Sequence, residues 1–256
     1  MDLGIAGKSA LVLGSTSGLG LAVARTLAEE GARVAVTGRR GDEARRIAAG
    51  LPDATGYTCD LTKAGSAEAL VAEVLATGPV DILVLNSGGP PPGAASGLTT
   101  DAVRAAVETL VIRQIEFVSL LLPAMAANGW GRIVSLGSSG VQQPLPGLAL
   151  SNIARSGLAG YLKTLSREVA AGGVTVNMVL PGRIATDRVD QLDSLKADRE
   201  SSDIEQVRAQ SRSTIPVGRY GSPEEFAAVV AFLCSAQASY VTGEQIRCDG
   251  GLVAGY

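Results

Sequence analysis

The sequence predicts an α/β fold in which a doubly wound, mainly seven-stranded parallel sheet is flanked by helices. Three observations support this prediction. Short apolar runs alternate with longer helical patterns along all 256 residues. The runs are continuously apolar rather than alternating in polarity, which is typical of strands covered on both faces. Strands separated by helices also favour parallel pairing, because each crossover returns the chain to the same edge of the sheet.

The expected elements follow one another in a regular order. The strands are Ser9–Leu13, Arg33–Thr37, Gly56–Cys59, Asp81–Leu85, Arg132–Leu136, Val174–Leu180 and Gln245–Cys248. The helical patterns fall between them, near residues 18–30, 42–50, 63–77, 99–127, 152–171 and 223–236.

Several helix boundaries carry recognisable signals. Thr99-Thr100-Asp101 is expected to cap the helix near 99–127, and Gly31 to end the first helix. Ser222 is followed by Pro223 and two glutamates. This order gives a cap, a proline and then acids at the positive end of the helix dipole, which predicts another helix start.

The chain is expected to form one domain over residues 1–256, because no change in composition indicates a linker. A polar, charged insert interrupts the pattern at about residues 187–215, between the sixth strand and the last helix. The insert could be a mobile lid or simply two solvated helices, and both interpretations stay open.

Composition excludes several classes of function. The net charge is −3, whereas nucleic-acid binders usually carry a basic face, so no nucleic-acid partner is expected. No apolar run reaches the roughly 18 residues that a membrane-spanning helix needs. The start of the chain also lacks the basic region and cleavage pattern of a signal peptide. We therefore expect a cytoplasmic protein with no membrane partner.

Residue counts narrow the possible chemistry. The chain has three cysteines, none in a CxxC pair, and no histidine. Such cysteines support neither a disulfide framework nor a thiolate zinc site. Without histidine, the Ser-His-Asp triad, a His-ligated metal and the commonest general base are excluded. We expect no metal, and acid–base chemistry has to use Tyr, Lys, Asp, Glu or water.

A glycine-rich turn follows the first strand and opens the first helix. It reads Gly14-Ser15-Thr16-Ser17-Gly18-Leu19-Gly20. Glycines let the backbone approach a pyrophosphate, and the helix N-terminus offers free N–H groups. In this position the turn favours a Rossmann-type dinucleotide-binding domain, although its GxxxGxG spacing differs from the usual GxGxxG. A purely structural turn is the alternative.

The end of the second strand indicates which dinucleotide would bind. NAD-binding domains usually place an acid here to bond the adenosine ribose. This chain has Gly38, followed by Arg39 and Arg40. Arg39 could contact a 2′-phosphate bidentately, so NADP(H) is favoured over NAD(H), which stays possible. The alternative is a solvated, basic helix start.

Two further strands end in polar residues at the same edge of the sheet. The third strand is followed by Asp60-Leu61 and the fourth by Asn86-Ser87-Gly88. Ligands bind at the carboxyl ends of the strands in this architecture. These residues are therefore candidates for cofactor binding.

Together these motifs resemble the short-chain dehydrogenase/reductase family over about residues 7–254. The resemblance implies that Asp60 contacts the adenine, and that Pro181, Gly182, Ile184 and Thr186 lie beside the nicotinamide. Within the family, the chain is most similar to 3-oxoacyl-ACP reductases and related ketoreductases. This implies an NADP-dependent oxidoreductase acting on a small-molecule carbonyl or alcohol substrate.

The same resemblance implies an altered catalytic tetrad. Family members typically use Asn, Ser, Tyr and Lys, with the Tyr donating a proton and the Lys holding the ribose. Ser138 falls on the Ser position, whereas Ser151 replaces Tyr, Arg155 replaces Lys and Leu110 replaces Asn. Since Ser151 and Arg155 are four residues apart, a helix would place them on one face.

The exchanged residues keep a hydroxyl and a cation on that face. Arg155 cannot feed a proton relay, but it could bond ribose hydroxyls, stabilise an oxyanion or hold a carboxylate. Ser138 and Ser151 could hold the carbonyl or a proton-supplying water, and Arg183 could add a second positive group. The structural alternatives are a loop serine, a helix cap at Ser151 and surface arginines.

An enzyme is the favoured interpretation of this altered site. The alternative is a catalytically inactive NADP-binding protein with a sensing or subunit role. Self-association is also expected, because the helices near 99–127 and 152–171 are mostly small and apolar. In the family the equivalent helices pack between subunits, which implies a homo-tetramer (or homodimer). These helices could instead only face the sheet.

Overall fold

The computed structural model describes residues 1–255 and contains a seven-stranded sheet. The strands are β1 (Ser9–Val12), β2 (Arg33–Gly38), β3 (Ala54–Thr58), β4 (Ile82–Leu85), β5 (Gly131–Leu136), β6 (Val174–Pro181) and β7 (Gln245–Cys248). Their order is β3-β2-β1-β4-β5-β6-β7, and every neighbouring pair is parallel. The order reverses between β1 and β4, which confirms the expected doubly wound sheet.

The connections between the strands are mostly helical. The α-helices are α1 (Gly18–Glu29), α2 (Gly41–Ala48), α3 (Ser66–Leu75), α4 (Thr100–Val107), α5 (Arg113–Ala127), α6 (Ala149–Val169), α7 (Asp187–Glu200), α8 (Ile204–Ser213) and α9 (Pro223–Leu233). Most lie within a few residues of their predicted positions.

Helices cover both faces of the sheet, as the continuously apolar strands require. One core cluster packs α1, α2 and α9 against the first face, with Val12, Val36 and Phe226 completely buried. A second cluster packs α3, α5 and α6 against the other face, around Leu83 and Phe117. The carboxyl ends of the strands therefore meet at one edge between two helical layers.

Two predicted helix caps are confirmed in detail. Thr99 Oγ1 accepts a hydrogen bond from Ala102 N at 3.2 Å. Ser222 and Glu225 form a reciprocal capping box at the start of α9, with proline in the first turn. Each cap satisfies an N–H group that the first helical turn leaves without a partner.

Among the strands, the third is the least accurate prediction. It begins at Ala54 rather than Gly56 and ends at Thr58 rather than Cys59. This strand lies at the edge of the sheet, where two of its five residues are exposed. An edge strand leaves a weaker apolar signal than a central one, so its limits were misplaced.

The helix expected over residues 99–127 is present but contains a π turn. Glu108–Ile112 joins α4 to α5 in π-helical conformation. Leu110, at the centre of this segment, is 3% exposed. Single π turns within α-helices occur frequently at functional sites.

The combined helix Thr100–Ala127 is long and apolar enough to cross a membrane by length and composition alone, with a mean hydropathy of 1.6 in its most apolar window. The same properties are typical of a helix in a protein core. Here Phe117, Leu121 and Met125 belong to the core cluster beside the sheet. The helix is thus weak evidence for a membrane, and the expected lack of a membrane partner stays a prediction.

The insert at residues 187–215 consists of two helices, α7 and α8, that pack on the rest of the chain. Asp193 on α7 is completely buried. It accepts hydrogen bonds from Arg183 Nη1 and Tyr220 Oη, both at 2.7 Å. These bonds fix α7 to the loop after β6 and to the segment before α9, so the two helices are docked rather than fully solvated.

Candidate active site

Three glycines shape the turn after β1, each for a physical reason. Gly14 and Gly18 have φ angles of +56° and +53°, a left-handed conformation that other residues rarely adopt. At Gly20, a Cβ atom would lie 2.4 Å from Gly14 O and 2.7 Å from Asn86 Nδ2. The GxxxGxG spacing thus reflects the left-handed conformations of Gly14 and Gly18 and the close packing at Gly20.

Two predicted cofactor residues instead brace this turn with their side chains. Ser15 is completely buried, and its hydroxyl bonds the backbones of β1 and β2 at 2.8 Å each. Asn86 Nδ2 donates to Leu13 O at 3.1 Å and to Gly14 O at 3.0 Å. The Ser15 hydroxyl and Asn86 Nδ2 therefore hold the turn in shape, and cofactor contacts from these two residues stay a prediction.

The rest of the turn offers backbone N–H groups. Ser17 is the N-cap of α1, and its side chain makes no capping bond. The first N–H groups of a helix lack partners within the helix, and they lie at the positive end of its dipole. Thr16, Gly18 and Leu19 are partly exposed and Ser17 is exposed. This end of α1 therefore suits a phosphate group.

The adenosine end of the predicted groove carries an exposed cation and an anchored carboxylate. A Cβ at Gly38 would lie 2.5 Å from Thr16 Cγ2, so no acidic side chain fits there unless Thr16 moves. Arg39, the next residue, is exposed. Hydrogen bonds from Thr62 lower the pKa of the Asp60 carboxyl, and the charge of Arg39 nearby adds to this effect.

Leu61, Ser87 and Gly88 lie at the same edge, after β3 and β4. Leu61 O accepts a bond from the buried Arg113 Nε at 3.3 Å, which ties this loop to α5. Ser87 is buried. A Cβ at Gly88 would meet no atom within 4 Å in the described part of the chain, so open space adjoins this glycine.

The loop after β6 approaches the glycine turn. Pro181 ends β6, and Gly182 packs so closely that a Cβ there would lie 2.7 Å from backbone. Ile184 is buried, whereas Thr186 is partly exposed. A Cβ built on Gly18 would lie 3.9 Å from Thr186 Cγ2. The loop and the turn therefore bound the groove from two sides.

Arg155 and Ser138 meet at the carboxyl end of β5. Arg155 Nη1 donates to Leu136 O at 2.6 Å, and Leu136 lies two residues before Ser138. Ser138 Oγ accepts from Gly140 N at 3.1 Å. A Cβ at Gly140 would lie 2.6 Å from Asn152 Oδ1, so this turn packs on the first turn of α6.

Ser151 lies inside the first turn of α6, so the helix-cap interpretation is wrong. The helix begins at Ala149, and Leu148 occupies the N-cap position without a side-chain bond. Over residues 1–255, no hydrogen bond engages the Ser151 hydroxyl, which is partly exposed. Ser151 is one turn before Arg155, so the structure brings Ser138, Ser151 and Arg155 together at one edge.

Arg155 is a partly buried cation rather than a fully exposed surface arginine. Burial, with a smaller contribution from the charge of Arg188, lowers the pKa of its guanidinium to about 10. At this pKa the group stays protonated at neutral pH. In the described ranges, no carboxylate oxygen lies within 4.0 Å of its nitrogens.

Arg183 does not supply the second positive group that the sequence suggested. Its Nη1 forms an ion pair with the buried Asp193 at 2.7 Å. The cation near Arg155 is Arg188, which the sequence analysis missed. Its Nη2 donates to Pro90 O at 2.8 Å, and its place two residues after Thr186 was the only available signal.

Leu110 stands where the family resemblance expects a catalytic asparagine. Its side chain is buried and apolar, so it cannot pass a proton. The π turn around it nevertheless lies against α6, the helix that carries Ser151 and Arg155. The asparagine amide expected from the resemblance is therefore absent, and a π-helical turn surrounds the leucine in its place.

Known proteins similar to this chain match it over nearly its whole length. A family model described as enoyl-(acyl carrier protein) reductase matches residues 14–253. A putative ketoacyl reductase of Streptomyces coelicolor is 37% identical over 252 residues, covering 95% of this chain and 96% of the relative. The 3-oxoacyl-(acyl-carrier-protein) reductase FabG of Salmonella typhimurium is 36% identical over 248 residues, covering 96% and 97%. The solved structure of L-sorbose reductase from Gluconobacter frateurii, complexed with NADPH and L-sorbose, has a TM-score of 0.94 at 30% identity and covers 100% of both chains.

Proposed function

Because this chain belongs to the short-chain dehydrogenase/reductase family, we propose that it is an NADP(H)-dependent oxidoreductase that interconverts a carbonyl compound and its alcohol, with Ser138, Ser151 and Arg155 as catalytic residues. The observation that carries the proposal is the partly buried guanidinium of Arg155, which donates to Leu136 O at 2.6 Å, two residues before Ser138. Burying a cation is costly unless it is paired. Its position at the sheet edge therefore favours a working group.

The residues at the first turn fit a dinucleotide phosphate. Gly20 lets the start of α1 pack closely on the turn, since a Cβ there would lie 2.4 Å from Gly14 O, and the first N–H groups of α1 lack partners within the helix. NADP(H) is supported over NAD(H) by Gly38, since Thr16 occupies the space that an acidic side chain would need. Arg39 follows directly and is exposed for a 2′-phosphate.

When bound, the nicotinamide supplies or accepts the hydride. Arg155 stays protonated at neutral pH and stabilises the negative charge that develops on the carbonyl oxygen. The hydroxyls of Ser138 and Ser151 hold that oxygen, or hold a water that delivers the proton. Serine is a far weaker acid than tyrosine, so the proton comes through this water rather than from a side chain.

The cofactor proposal is tested by fluorescence titration with NADPH and NADH. We expect NADPH to bind more tightly. Arg39→Ala should weaken NADPH about 10- to 100-fold, because a hydrogen bond to a charged group contributes about 1.5–3 kcal/mol. Arg40→Ala, at the neighbouring exposed arginine, is the matched control. A preference for NADH, or no binding, would contradict the proposal.

The catalytic proposal is tested by turnover of 3-oxoacyl thioesters, diketones and keto acids with NADPH. Ser151→Ala and Arg155→Ala should each lower kcat about 10²- to 10³-fold, as loss of an oxyanion-binding group does. Ser156→Ala and Arg167→Ala are controls, since both residues are exposed on the same helix. Unchanged activity in both active-site variants would overturn the assignment. Tight NADPH binding without any turnover would favour the inactive, sensing or subunit alternative.

Self-association as a homo-tetramer (or homodimer) belongs to the same proposal. Its support is a group of apolar side chains exposed on the helices near 99–127 and 152–171: Ile112 is 40%, Leu120 38% and Ile153 45% exposed. Light scattering of the purified chain would give the mass, and Ile153→Lys should shift it toward the monomer. The cytoplasmic location stays a prediction.

A further inference from the structure

Two arginines from different elements converge beside the proposed site. Arg155, on α6, donates to Leu136 O at 2.6 Å. Arg188, near the start of α7, donates to Pro90 O at 2.8 Å and to Gln191 Oε1 at 3.0 Å. Strands β4 and β5 are neighbours, with Leu85 opposite Ser135, so Leu136 O and the loop at Pro90 lie at the same edge of the sheet. The charge of Arg188 also lowers the pKa of Arg155.

Neither cation has a counter-charge in the part of the chain that the structure describes. The ion pairs there involve neither Arg155 nor Arg188, whereas Arg183 nearby is paired with Asp193. Both side chains are partly buried, and burial lowers the pKa of each guanidinium, yet neither gains a carboxylate partner. Each guanidinium has five N–H donors, and carbonyl or amide oxygens take only one or two of them. Two neighbouring like charges that are partly buried repel one another, and an anion between them would relieve that repulsion.

The loop after β4 connects Arg188 to the start of α6, the helix that carries Ser151 and Arg155. Gly93 bridges to Leu148, directly before α6, and Gly93 N donates to Gly147 O at 2.7 Å. A Cβ at Gly89 would lie 3.2 Å from Arg188 Nε. The glycine therefore makes room for the guanidinium against a loop that runs to the start of the catalytic helix.

We infer that Arg155 and Arg188 form a subsite for a substrate carboxylate, so that the substrate is a keto acid rather than a neutral ketone. Arg guanidinium and carboxylate match in planar, paired hydrogen bonds. In a 2-keto acid the carboxylate is bonded to the carbonyl carbon, so Arg155 can contact one oxygen of each group. The inference rests on the proposed function, because it names the substrate class of the same site.

The first test compares 2-oxohexanoate with its neutral methyl ester, following NADPH absorbance with the full-length chain. We expect the acid to be preferred. Arg188→Gln should raise the KM of the acid about 10- to 100-fold, as loss of a charged hydrogen bond does, and should abolish the preference. Arg188→Lys should restore part of it. Arg199→Gln, at an exposed arginine of α7, is the matched control. Equal turnover of acid and ester in the unmodified chain would overturn the inference.

A second measurement separates this inference from the proposed function. Calorimetry of 2-oxohexanoate with the NADP-loaded chain reports binding whether or not turnover occurs. Binding that Arg188→Gln abolishes supports the subsite even if no substrate is reduced, in which case only the proposed function fails. Lack of binding overturns the subsite. The subsite is also overturned if Arg188→Gln changes only the affinity for NADPH, since Arg188 would then bind a cofactor phosphate.

Discussion

Replacing Gly20 with alanine should damage the cofactor turn while leaving the rest of the fold in place. The added methyl carbon would lie 2.4 Å from the backbone oxygen of Gly14 and 2.7 Å from Asn86 Nδ2. A carbon atom cannot approach a backbone oxygen so closely. Either the turn or the start of α1 must therefore move.

The size of the effect follows from these two contacts. Overpacking of a closely packed position costs about 1–3 kcal/mol. Displacing the Asn86 amide gives up its bonds to Leu13 O and Gly14 O, each of which contributes about 0.5–1.5 kcal/mol. The sum is about 2–6 kcal/mol, divided between folding and cofactor binding. If about 1.4 kcal/mol falls on binding, NADPH affinity drops about tenfold.

Gly160→Ala is the matched control, because it makes the same chemical change inside a helix. A Cβ at Gly160 would meet no described atom within 4 Å. Alanine there should stabilise the fold by about 0.5–1 kcal/mol through helix propensity alone. Urea unfolding and NADPH fluorescence titration measure the two quantities. If Gly20→Ala has the same stability and the same NADPH affinity as Gly160→Ala, Gly20 is not closely packed and the turn does not bind the cofactor.

Three further predictions concern parts of the structure outside the cofactor turn. Asp193→Ala should lower the free energy of unfolding in urea by about 2–4 kcal/mol, because it strips the partner from Arg183 in a pair with one buried member; a change below the error of the fit would show that the pair is not structural. Leu110→Asn should destabilise the chain by about 1–3 kcal/mol by burying an amide without an assured partner, again measured in urea; an unchanged midpoint would mean that the π turn still offers polar partners. The hydrogen bond from Arg219, with a second from the backbone, lowers the pKa of Glu225 from 4.5 to about 2. The stability from this carboxylate is present above pH 4.5 and lost as the pH falls toward 2; Glu225→Gln should flatten the thermal-stability profile in that window, and an identical profile would contradict the pairing.

The sheet and most helices could be predicted from the sequence, because strands covered on both faces leave an unbroken apolar signal. Central strands such as β4 and β6 were placed within one residue at each end. β3 was misplaced because an edge strand shares its surface with solvent. The π turn at Glu108–Ile112 could not be foreseen, since one extra residue in a helical turn barely disturbs the apolar periodicity.

In the candidate site, too, a residue's role could be predicted where it depends on neighbours in the sequence and not where it depends on distant residues. The glycine turn could be predicted because its demands on φ and on space are local to the motif. The fate of Arg183 could not, since it depends on Asp193 ten residues later in the insert, which the fold brings back to it. Arg188 could not be identified from the sequence either. It lies in a polar, charged segment without a motif, and only the fold brings it to Pro90.

The exchanged tetrad is best understood as a change of chemistry under the proposed function. A lysine and a tyrosine can share a proton, and a polar relay can refill it. Arg155 keeps its charge even with its pKa lowered to about 10, and Leu110 offers no relay. What remains is a fixed positive charge beside two hydroxyls, which suits charge stabilisation better than proton donation. Such a site suits a substrate whose own charge fixes its orientation, which is the role proposed for Arg155 and Arg188 together.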